Sequence, residues 1–464
     1  MKKFFAILIA KQAVFWSQIL GKGGGGALPG LIAEKIYPDI IYKLSQKLPK
    51  GVIVITGTNG KTTTARMVTQ ILQNSGLRVV NNQDGSNLSR GLASALIAKT
   101  SCLTGKIKED IGVYEIDEAT MAPVLTKLKP RIIAITNIFR DQLDRYGEVD
   151  KTASIIEEAV LSSPQSILVL NADDPMVSFM GKDNESHFFG LEETATKTTS
   201  ELALDSRSCF ICGTELNFST RYYSHLGVYA CPKCGFKSPK AEITAKKIVT
   251  SKEAVQATIL HNGSEKSLTL PLTGIYNVYN SLAAILITSL LGVKDEIIFS
   301  TLNKFSSAFG RMEKIEIDGK TAFIYLIKNP TGANQVLETL SSFNERGTAL
   351  IILNDNFADG TDISWIWDTN FEIANKIFNH IVVSGIRAED LALRLKYAGS
   401  VTFHLEKDLK KSLDQAIAKT KENETLYILC TYTAMLSLRD FLVKEKIVAN
   451  YWKENNTTKG LKRL

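Results

Sequence analysis

The chain has 464 residues, of which 44% are hydrophobic and 22% are charged. This composition excludes an intrinsically disordered, collagen-like or coiled-coil chain, and the length allows two or three domains. The net charge is +7, but the first 50 residues carry +6 and the segment from Tyr451 onward carries +3, so the remainder carries −2. A generally basic nucleic-acid-binding protein is therefore disfavoured, and we expect no nucleic acid as a partner.

Residues 1–48 are predicted to form a basic amphipathic helix followed by a glycine-rich segment. A helix from Lys3 to Lys22 would carry Lys11, Gln18 and Lys22 on one side. Such a helix can dock on the rest of the protein with its lysines in solvent, or it can lie on an anionic membrane surface. The chain contains no run of about 18 apolar residues and no convincing cleavage site, so we expect neither a spanning helix nor export.

From Gly51 onward, short β-branched runs alternate with helix-length amphipathic segments, which predicts a mainly parallel sheet. The predicted strands of this central domain, residues 49–308, are Val52–Thr56, Leu77–Val80, Val113–Ile116, Ile132–Thr136, Ile167–Leu170, 248–249 and Ala257–Leu260. A cysteine-bearing insert occupies residues 205–240, and a helix is predicted from Asn277 to Leu291. A second α/β domain, residues 309–464, is predicted from strands at Thr321–Ile327, Thr348–Leu353, His380–Val383 and Thr425–Leu429.

A phosphate-binding loop is predicted directly after the first strand, where the sequence reads Gly57, Thr58, Asn59, Gly60, Lys61, Thr62 and Thr63. Glycines allow the backbone N–H groups and the helix N-terminus to face phosphate oxygens. Lys61 is expected to neutralise the β- and γ-phosphates, and the Thr62 hydroxyl to ligate Mg²⁺. The sequence therefore predicts binding of a nucleoside triphosphate.

Carboxylates cluster at the end of the third predicted strand, where Glu115, Asp117 and Glu118 follow Tyr114. Ligands of open α/β sheets gather at the carboxyl ends of the strands, and hard oxygen ligands suit Mg²⁺. Solvated carboxylates at a strand end are the alternative, and these residues alone leave it open.

Four of the six cysteines form two pairs in the insert, Cys209 with Cys212 and Cys231 with Cys234. Two such CxxC turns can complete a tetrahedral S₄ site for Zn²⁺. Two disulfides, a redox pair or an iron–sulfur site are alternatives, but the phosphate-loop chemistry indicates a reducing cytosol and favours zinc. Four thiolates leave no open coordination position, so we expect a structural metal in a cytoplasmic protein.

Seven segments make the chain resemble the Mur ligase family, the ATP-dependent ligases of peptidoglycan synthesis and their folylpolyglutamate synthetase relatives. They are GTNGKTT at 57–63, GSN at 85–87, YEIDE at 114–118, TNIFRDQLD at 136–144, NADDP at 171–175, GIYNVYN at 274–280 and FGRME at 309–313. The resemblance implies an α/β fold with a P-loop central domain and a Rossmann-like C-terminal domain, and ATP and Mg²⁺ as ligands. It also implies Lys61 and Thr62 at the phosphates and Mg²⁺, Glu115 as a metal ligand, Asn277 near the base, and Arg311 on the nucleotide from the hinge.

Three departures from the family pattern stand out. The 50 residues before the phosphate loop cannot build the usual UDP-binding first domain of about a hundred residues. Tyr276 replaces the usual histidine of the family's GxHN motif, and the carbamylated lysine has no clear counterpart. The ligands of a second metal therefore remain open.

One branch of the family is similar over nearly the whole chain, through the zinc insert and the segments at 20–30, 326–335, 353–368 and 431–435. This resemblance implies a synthetase subunit that works with a GatD-type glutaminase and amidates the D-glutamate of the lipid II stem peptide to D-isoglutamine. It implies Asp355 as a residue required for activity, with Asp359 and Asp362 as nearby alternatives. The membrane-bound substrate would suit a protein at the inner face of the membrane.

The residues independently favour an external ammonia source, because only Cys102 and Cys430 lie outside the insert and neither occupies a nucleophile elbow. ATP is required because an unactivated carboxylate does not accept ammonia. An amino-acid-adding ligase of the same superfamily is the first alternative. A zinc-ribbon nucleic-acid-binding ATPase is the second, supported only by the basic residues Arg221, Lys233, Lys237, Lys240, Lys246 and Lys247.

Overall fold

The computed structural model describes residues 2–19, 27–82, 88–102, 104–141, 149–193, 207–305, 311–343, 345–399 and 403–448. The side chains of residues 14–19 and 311 lie outside this description, as do the GSN segment and most of the glycine-rich segment. Within the described ranges, every helix is too short or too polar to traverse a lipid bilayer.

Nine strands form the sheet of the central domain. They are β1 Val52–Thr56, β2 Val79–Asn81, β3 Ile111–Glu115, β4 Ile132–Ile135, β5 Ile167–Asn171, β6 Ser186–Leu191, β9 Ile243–Thr250, β10 Val255–His261 and β11 Ser264–Leu270; β7 Asn217–Tyr223 and β8 Leu226–Ala230 form a separate hairpin. Their spatial order is β11-β10-β9-β6-β5-β4-β1-β3-β2. The strands from β9 to β2 are parallel, and β10 and β11 add an antiparallel edge.

Helices cover both faces of this sheet, as parallel sheets require. One core lies under Lys61–Asn74, Ile275–Leu290 and Asp295–Leu302. The opposite core lies under the N-terminal helices together with Ser89–Lys99, Met121–Leu128, Val149–Leu161 and Pro175–Phe179. The carboxyl ends of β1, β3 and β4 therefore meet at one edge, where the phosphate loop begins.

The N-terminal segment consists of three helices, Lys2–Ile19, Leu28–Ile36 and Ile40–Ser45, which pack into the second core. Ala6, Ile7 and Ala10 are fully or almost fully buried. The expectation that the lysines of a docked helix lie in solvent is wrong for Lys11, whose ammonium donates to Thr100 O at 2.6 Å. The cause is the free carbonyls at the end of helix Ser89–Lys99, which attract a cation.

The C-terminal sheet has six strands in the order β12-β13-β17-β14-β15-β16. Their bounds are β12 Arg311–Ile317, β13 Lys320–Leu326, β14 Gly347–Ile352, β15 Phe378–Ser384, β16 Phe403–Leu405 and β17 Leu426–Cys430. Only β12 is antiparallel to its neighbour. The helices on its two faces are Pro330–Ser341, Ala374–Ile377, Ala388–Tyr397, Leu409–Lys419 and Tyr432–Lys444.

Candidate active site

The loop from Gly57 to Gly60 joins β1 to helix Lys61–Asn74. Gly57 and Gly60 have positive φ angles of 118° and 89°, a conformation that favours glycine. A Cβ on Gly60 would lie 2.1 Å from Asn280 Oδ1, so the space there is also too small for a side chain. The loop therefore has the glycine-dependent curled backbone that a phosphate-binding loop requires.

The loop after β4 holds the phosphate loop in place. Thr58 N–H donates to Asn137 O at 2.9 Å, and Asn59 N–H donates to Asn137 Oδ1 at 2.9 Å. The Thr58 hydroxyl accepts from Phe139 N–H at 2.9 Å and donates to Phe139 O at 3.1 Å. Thr136 Oγ1 also donates to Asn59 O at 2.7 Å. The TNIF segment is thus a rigid support for the phosphate loop.

Lys61 is buried at the start of the helix, and its ammonium lies 2.9 Å from Glu118 Oε1. Burial disfavours the charged form, but the nearby carboxylates of Glu118, Glu115 and Asp141 outweigh it, so the pKa of Lys61 lies above its ordinary value. Lys61 also donates to the backbone of Gly57. A phosphate entering the loop would meet a cation already held in position.

The predicted Mg²⁺ ligands lie beside this lysine. Glu115 ends β3 and is buried, and Asn82 fixes its backbone through two hydrogen bonds of 2.7 and 2.9 Å. Thr62 follows Lys61 in the first turn of the helix, and Thr63 is buried behind it. The carboxylates of Glu118, Glu115 and Asp141 all act on this one lysine, and Asp117 is buried next to Glu118 in the chain. A hard divalent cation suits this excess of negative charge, so the residues fit Mg²⁺.

Asn277 lies in the first turn of helix Ile275–Leu290, beside the phosphate loop. Asn277 Oδ1 accepts from Asn280 Nδ2 at 3.1 Å, and Asn280 Oδ1 accepts from Thr64 Oγ1 at 3.3 Å. Tyr276, which replaces the usual histidine, stacks closely over Gly274. Arg311 begins β12, but its side chain lies outside the described residues.

The C-terminal domain contributes two side chains that the sequence did not assign a role. Lys328 Nζ lies 2.7 Å from Asp141 Oδ2 and 3.5 Å from Thr58 O. Asn329 Nδ2 donates to Asn59 Oδ1 and to Asp141 Oδ1, both at 3.2 Å. The two domains therefore meet directly over the phosphate loop. The sequence signal that could have indicated these two residues is Lys-Asn-Pro, which begins two residues beyond the end of a strand and in which Asn329 caps the next helix.

Asp355 lies three residues beyond β14, at the carboxyl edge of the C-terminal sheet. Its carboxylate is 2.9 Å from Arg387 Nη1, and Arg387 also binds Asp390 at 2.7 Å. The two alternatives have backbone-capping roles: Asp359 is buried and accepts from Thr433 N–H at 2.7 Å, and Asp362 accepts from a backbone N–H two residues later. Asp355 thus forms an ion pair with Arg387, whereas Asp359 also accepts from the Thr433 hydroxyl.

The surface next to Asp355 is apolar. Phe357 and Ile386 are exposed on two loops, and Tyr432 is exposed at the start of helix Tyr432–Lys444. Asn354 links these segments, because it accepts from Ile386 N–H and donates to the Thr433 hydroxyl. Exposed large apolar side chains grouped in this way mark interaction surfaces. Trp365 is buried in the core of this domain, whereas Trp367 is half exposed.

The four insert cysteines come together at one end of the β7–β8 hairpin. Their sulfur atoms all lie within 4.8 Å of one another, with Cys209 to Cys234 and Cys212 to Cys231 both at 3.5 Å. Sulfurs bound to one tetrahedral zinc ion lie about 3.8 Å apart, given Zn–S bonds of about 2.3 Å. The cluster therefore fits Zn²⁺. Gly213, with φ +71°, closes the first cysteine turn.

Two family models match the chain: "Mur ligase middle domain" over residues 55–229 and "MurT ligase C-terminal" over residues 326–435. The Streptococcus pneumoniae protein named lipid II isoglutaminyl synthase (glutamine-hydrolyzing) subunit MurT is 34% identical over 97% of this chain and 98% of its own length. The Staphylococcus aureus protein of the same name is 36% identical, over 91% of this chain and 93% of its own.

Solved structures share the fold at lower identity. The pseudomurein peptide ligase type C from Methanothermus fervidus superposes with a TM-score of 0.70 and 23% identity, covering 87% of this chain and 80% of that structure. MurF ligase from Thermotoga maritima in complex with ADP gives a TM-score of 0.62 and 14% identity, covering 89% and 85%. The chain belongs to the Mur ligase family, within the branch of the MurT subunits of lipid II isoglutaminyl synthase.

Proposed function

We propose that this protein is the ATP-dependent synthetase subunit of a glutamine amidotransferase that acts on lipid II. It amidates the α-carboxyl of the stem-peptide D-glutamate and forms D-isoglutamine. The identity to MurT subunits along almost the whole chain is the observation that carries the proposal. The two domains meet over the phosphate loop, where the phosphoryl transfer would take place.

The reaction has two balanced steps. The substrate carboxylate oxygen attacks the γ-phosphorus of ATP, which forms an acyl phosphate and releases ADP. Ammonia then attacks the acyl carbon, and inorganic phosphate leaves while the nitrogen gives up a proton. The protein must neutralise the transferred phosphoryl group and exclude water, because hydrolysis of the acyl phosphate would waste ATP.

The nucleotide-binding residues act as a clamp from both domains. Residues 57–63 cradle the phosphates, with Lys61 exchanging Glu118 for phosphate oxygens when ATP binds. Lys328 approaches from the C-terminal domain, bound to Asp141. The family resemblance assigns Asn277 to the nucleotide base and Arg311 to the nucleotide from the hinge between the domains. Thr62 and Glu115 would hold Mg²⁺, which screens the phosphate charge.

Ammonia comes from a GatD-type glutaminase bound as a heterodimer. Of the cysteines outside the insert, Cys430 is buried, and burial raises the pKa of its thiol, which makes it a poor nucleophile. The glutaminase docks on the apolar surface formed by Phe357, Ile386 and Tyr432. Asp355 then reaches the partner's active site and orients its catalytic histidine.

Zinc in the Cys₄ cluster has a structural role. Cys234 is exposed and Cys209 and Cys231 are buried, so the ion would tie a surface turn to the small core of the insert. Four thiolates fill its coordination sphere. Lys246, which lies in β9 just beyond the insert, forms an ion pair with Glu265 at 2.7 Å, and this weakens the nucleic-acid alternative.

The N-terminal helix places the protein at the inner face of the membrane. Phe4, Phe5 and Ile9 are exposed on its outer side, and the segment is strongly basic. Aromatic side chains beside lysines suit the interface of an anionic bilayer. Replacing Phe4 and Phe5 by serine should reduce sedimentation with anionic liposomes; unchanged sedimentation contradicts the assignment.

The decisive experiment measures ATP turnover and amide formation by the purified chain, with and without a glutaminase. We expect turnover only with lipid II and a nitrogen source, either glutamine with the glutaminase or ammonium salt alone. ATP consumption with glutamate as sole acceptor, without lipid II or glutaminase, would instead identify an amino-acid-adding ligase.

A further inference from the structure

The cysteine insert has two different ends. The cysteines lie where Asn217 of β7 pairs with Ala230 of β8, and the turn lies at the opposite end, between Tyr223 and Leu226. Tyr223, His225 and Leu226 at this turn are buried, and the two apolar residues belong to the main core of the central domain. The hairpin therefore reaches from the metal cluster into the body of the protein.

The turn contacts the loop that supports the phosphate loop. The His225 ring packs against the Phe139 ring with centroids 5.0 Å apart, and Tyr223 packs against the same ring at 5.8 Å. His225 Nε2 lies 3.4 Å from Asp174 Oδ1, and Asp174 Oδ2 accepts from Ile138 N–H at 2.9 Å. His225 thus contacts Phe139 directly through its ring. It contacts the backbone of Ile138 indirectly, through the Asp174 carboxylate.

Residues 138–141 pass this contact to the nucleotide site and to the second domain. Phe139 exchanges two hydrogen bonds with the Thr58 side chain in the phosphate loop. The next two residues, Arg140 and Asp141, bind Asp368 at 3.0 Å and Lys328 at 2.7 Å across the domain interface. One short segment therefore links the hairpin turn, the phosphate loop and the C-terminal domain.

We infer that His225 is a positioning residue for the nucleotide site, and that the cysteine insert acts as a buttress which sets the conformation of residues 136–141. His225 is too deeply buried to touch ATP itself. Its effect passes through Phe139 and Asp174 to Thr58. The expected effect of His225 on nucleotide affinity rests on the proposed ATP binding. The contacts that link His225 to Thr58 are present in the nucleotide-free protein as well.

The test uses the full chain with His225→Ala and His225→Phe, and with Tyr222→Phe as the matched control. Tyr222 lies on the same hairpin and is equally buried, but its hydroxyl donates to Leu191 O at 3.2 Å, toward β6. Thermal unfolding reports the general cost of each change. Hydrogen exchange of the amides of residues 58, 59, 138 and 139 reports the link without nucleotide. Titration with a non-hydrolysable ATP analogue reports affinity.

For His225→Ala we expect these amides to exchange about tenfold faster and the analogue to bind about tenfold more weakly, the effect of losing about 1.4 kcal/mol. His225→Phe keeps the ring against Phe139 and should show a smaller change; it also carries the test if the alanine variant does not fold. Tyr222→Phe should lower the unfolding temperature only. Exchange and affinity within twofold of this control in both His225 variants overturn the inference. A wild-type chain that fails to bind the analogue refutes the proposed function, while the exchange data still test the link.

Discussion

Replacing Lys328 with methionine tests whether the C-terminal domain supplies a cation to the transferred phosphoryl group. Methionine keeps most of the side-chain length and removes the charge. Lys328 lies over the phosphate loop with Asp141 as its partner, so the substitution also breaks one ion pair between the domains. The loss of the charge at the phosphates and the loss of the ion pair differ in size, so their effects can be separated.

The ion pair alone is worth little. The Lys328 side chain is 30% exposed and that of Asp141 is 10% exposed, and a partly exposed pair contributes about 1 kcal/mol or less, equivalent to about fivefold in domain closure. Loss of a group that stabilises charge in the transition state costs about 2.7–4 kcal/mol, or about 10²–10³ in rate. We therefore expect kcat to fall at least about a hundredfold, with a small change in the unfolding temperature.

The assay is lipid II amidation with ammonium as nitrogen source, which makes the result independent of the glutaminase. Lys314→Met is the matched control, because Lys314 joins the same two domains through Glu253 at 2.6 Å, in the connection between β9 and β10. A loss of fivefold or less in Lys328→Met, equal to that of the control, would refute a direct role at the phosphates. Lys328→Arg should recover part of the rate, since it restores the charge.

Three more outcomes are expected. Asp355→Asn should retain binding of the ATP analogue and amidation with ammonium but lose amidation with glutamine and glutaminase, because it removes only the contact with the partner's site. Replacing Cys212 and Cys231 together by serine should release zinc, measured by metal analysis, and lower the unfolding temperature. Burial raises the pKa of Asp173 to about 7, so its contribution to the free energy of unfolding is present below about pH 4 and is lost as pH rises through 7. Asp173→Asn should therefore flatten the fall in stability between these pH values, measured by denaturant unfolding.

Each of these three predictions has an outcome that would contradict it. Asp362→Asn is the control for Asp355→Asn, since Asp362 only caps a turn, and equal activity of the two variants with glutamine would remove the role of Asp355. A cysteine double variant that keeps its unfolding temperature would show that zinc does not stabilise the insert. An unchanged pH slope in Asp173→Asn would show that another group sets it.

Features that depend on neighbouring residues in the chain could be predicted. The phosphate loop is a strand, a glycine turn and a helix in direct succession, and the two CxxC turns fix their own sulfur geometry. The helix predicted at Asn277 to Leu291 is found at Ile275–Leu290. Apart from 248–249, the predicted strands lie within two residues of the observed bounds, whereas 248–249 covers only the end of β9 and β6 was not predicted. Local sequence was sufficient because one short segment carries each signal.

Features that depend on the packing of distant segments were missed. The edge strand β11, with sequence SEKSLTL, and the short edge strand β16 lack the apolar runs of buried strands, so composition gave little sign of them. Lys328 belongs to the nucleotide site only because the second sheet docks over the first. His225 was one of five histidines in the sequence, and only the folded hairpin brings it to Phe139.

The pairing of β6 with β9 gives the cysteine insert a second consequence. These strands are parallel neighbours in the sheet, although more than 50 residues separate them in the chain. A parallel pair needs a crossover of a dozen or more residues, and here the segment containing the hairpin makes it. Tyr222, Tyr223 and Leu226 also cover the sheet where a crossover helix would usually lie. Excising the insert and closing the gap with a tight turn would therefore remove both the connection and the cover, and β9 to β11 would lose their place in the sheet.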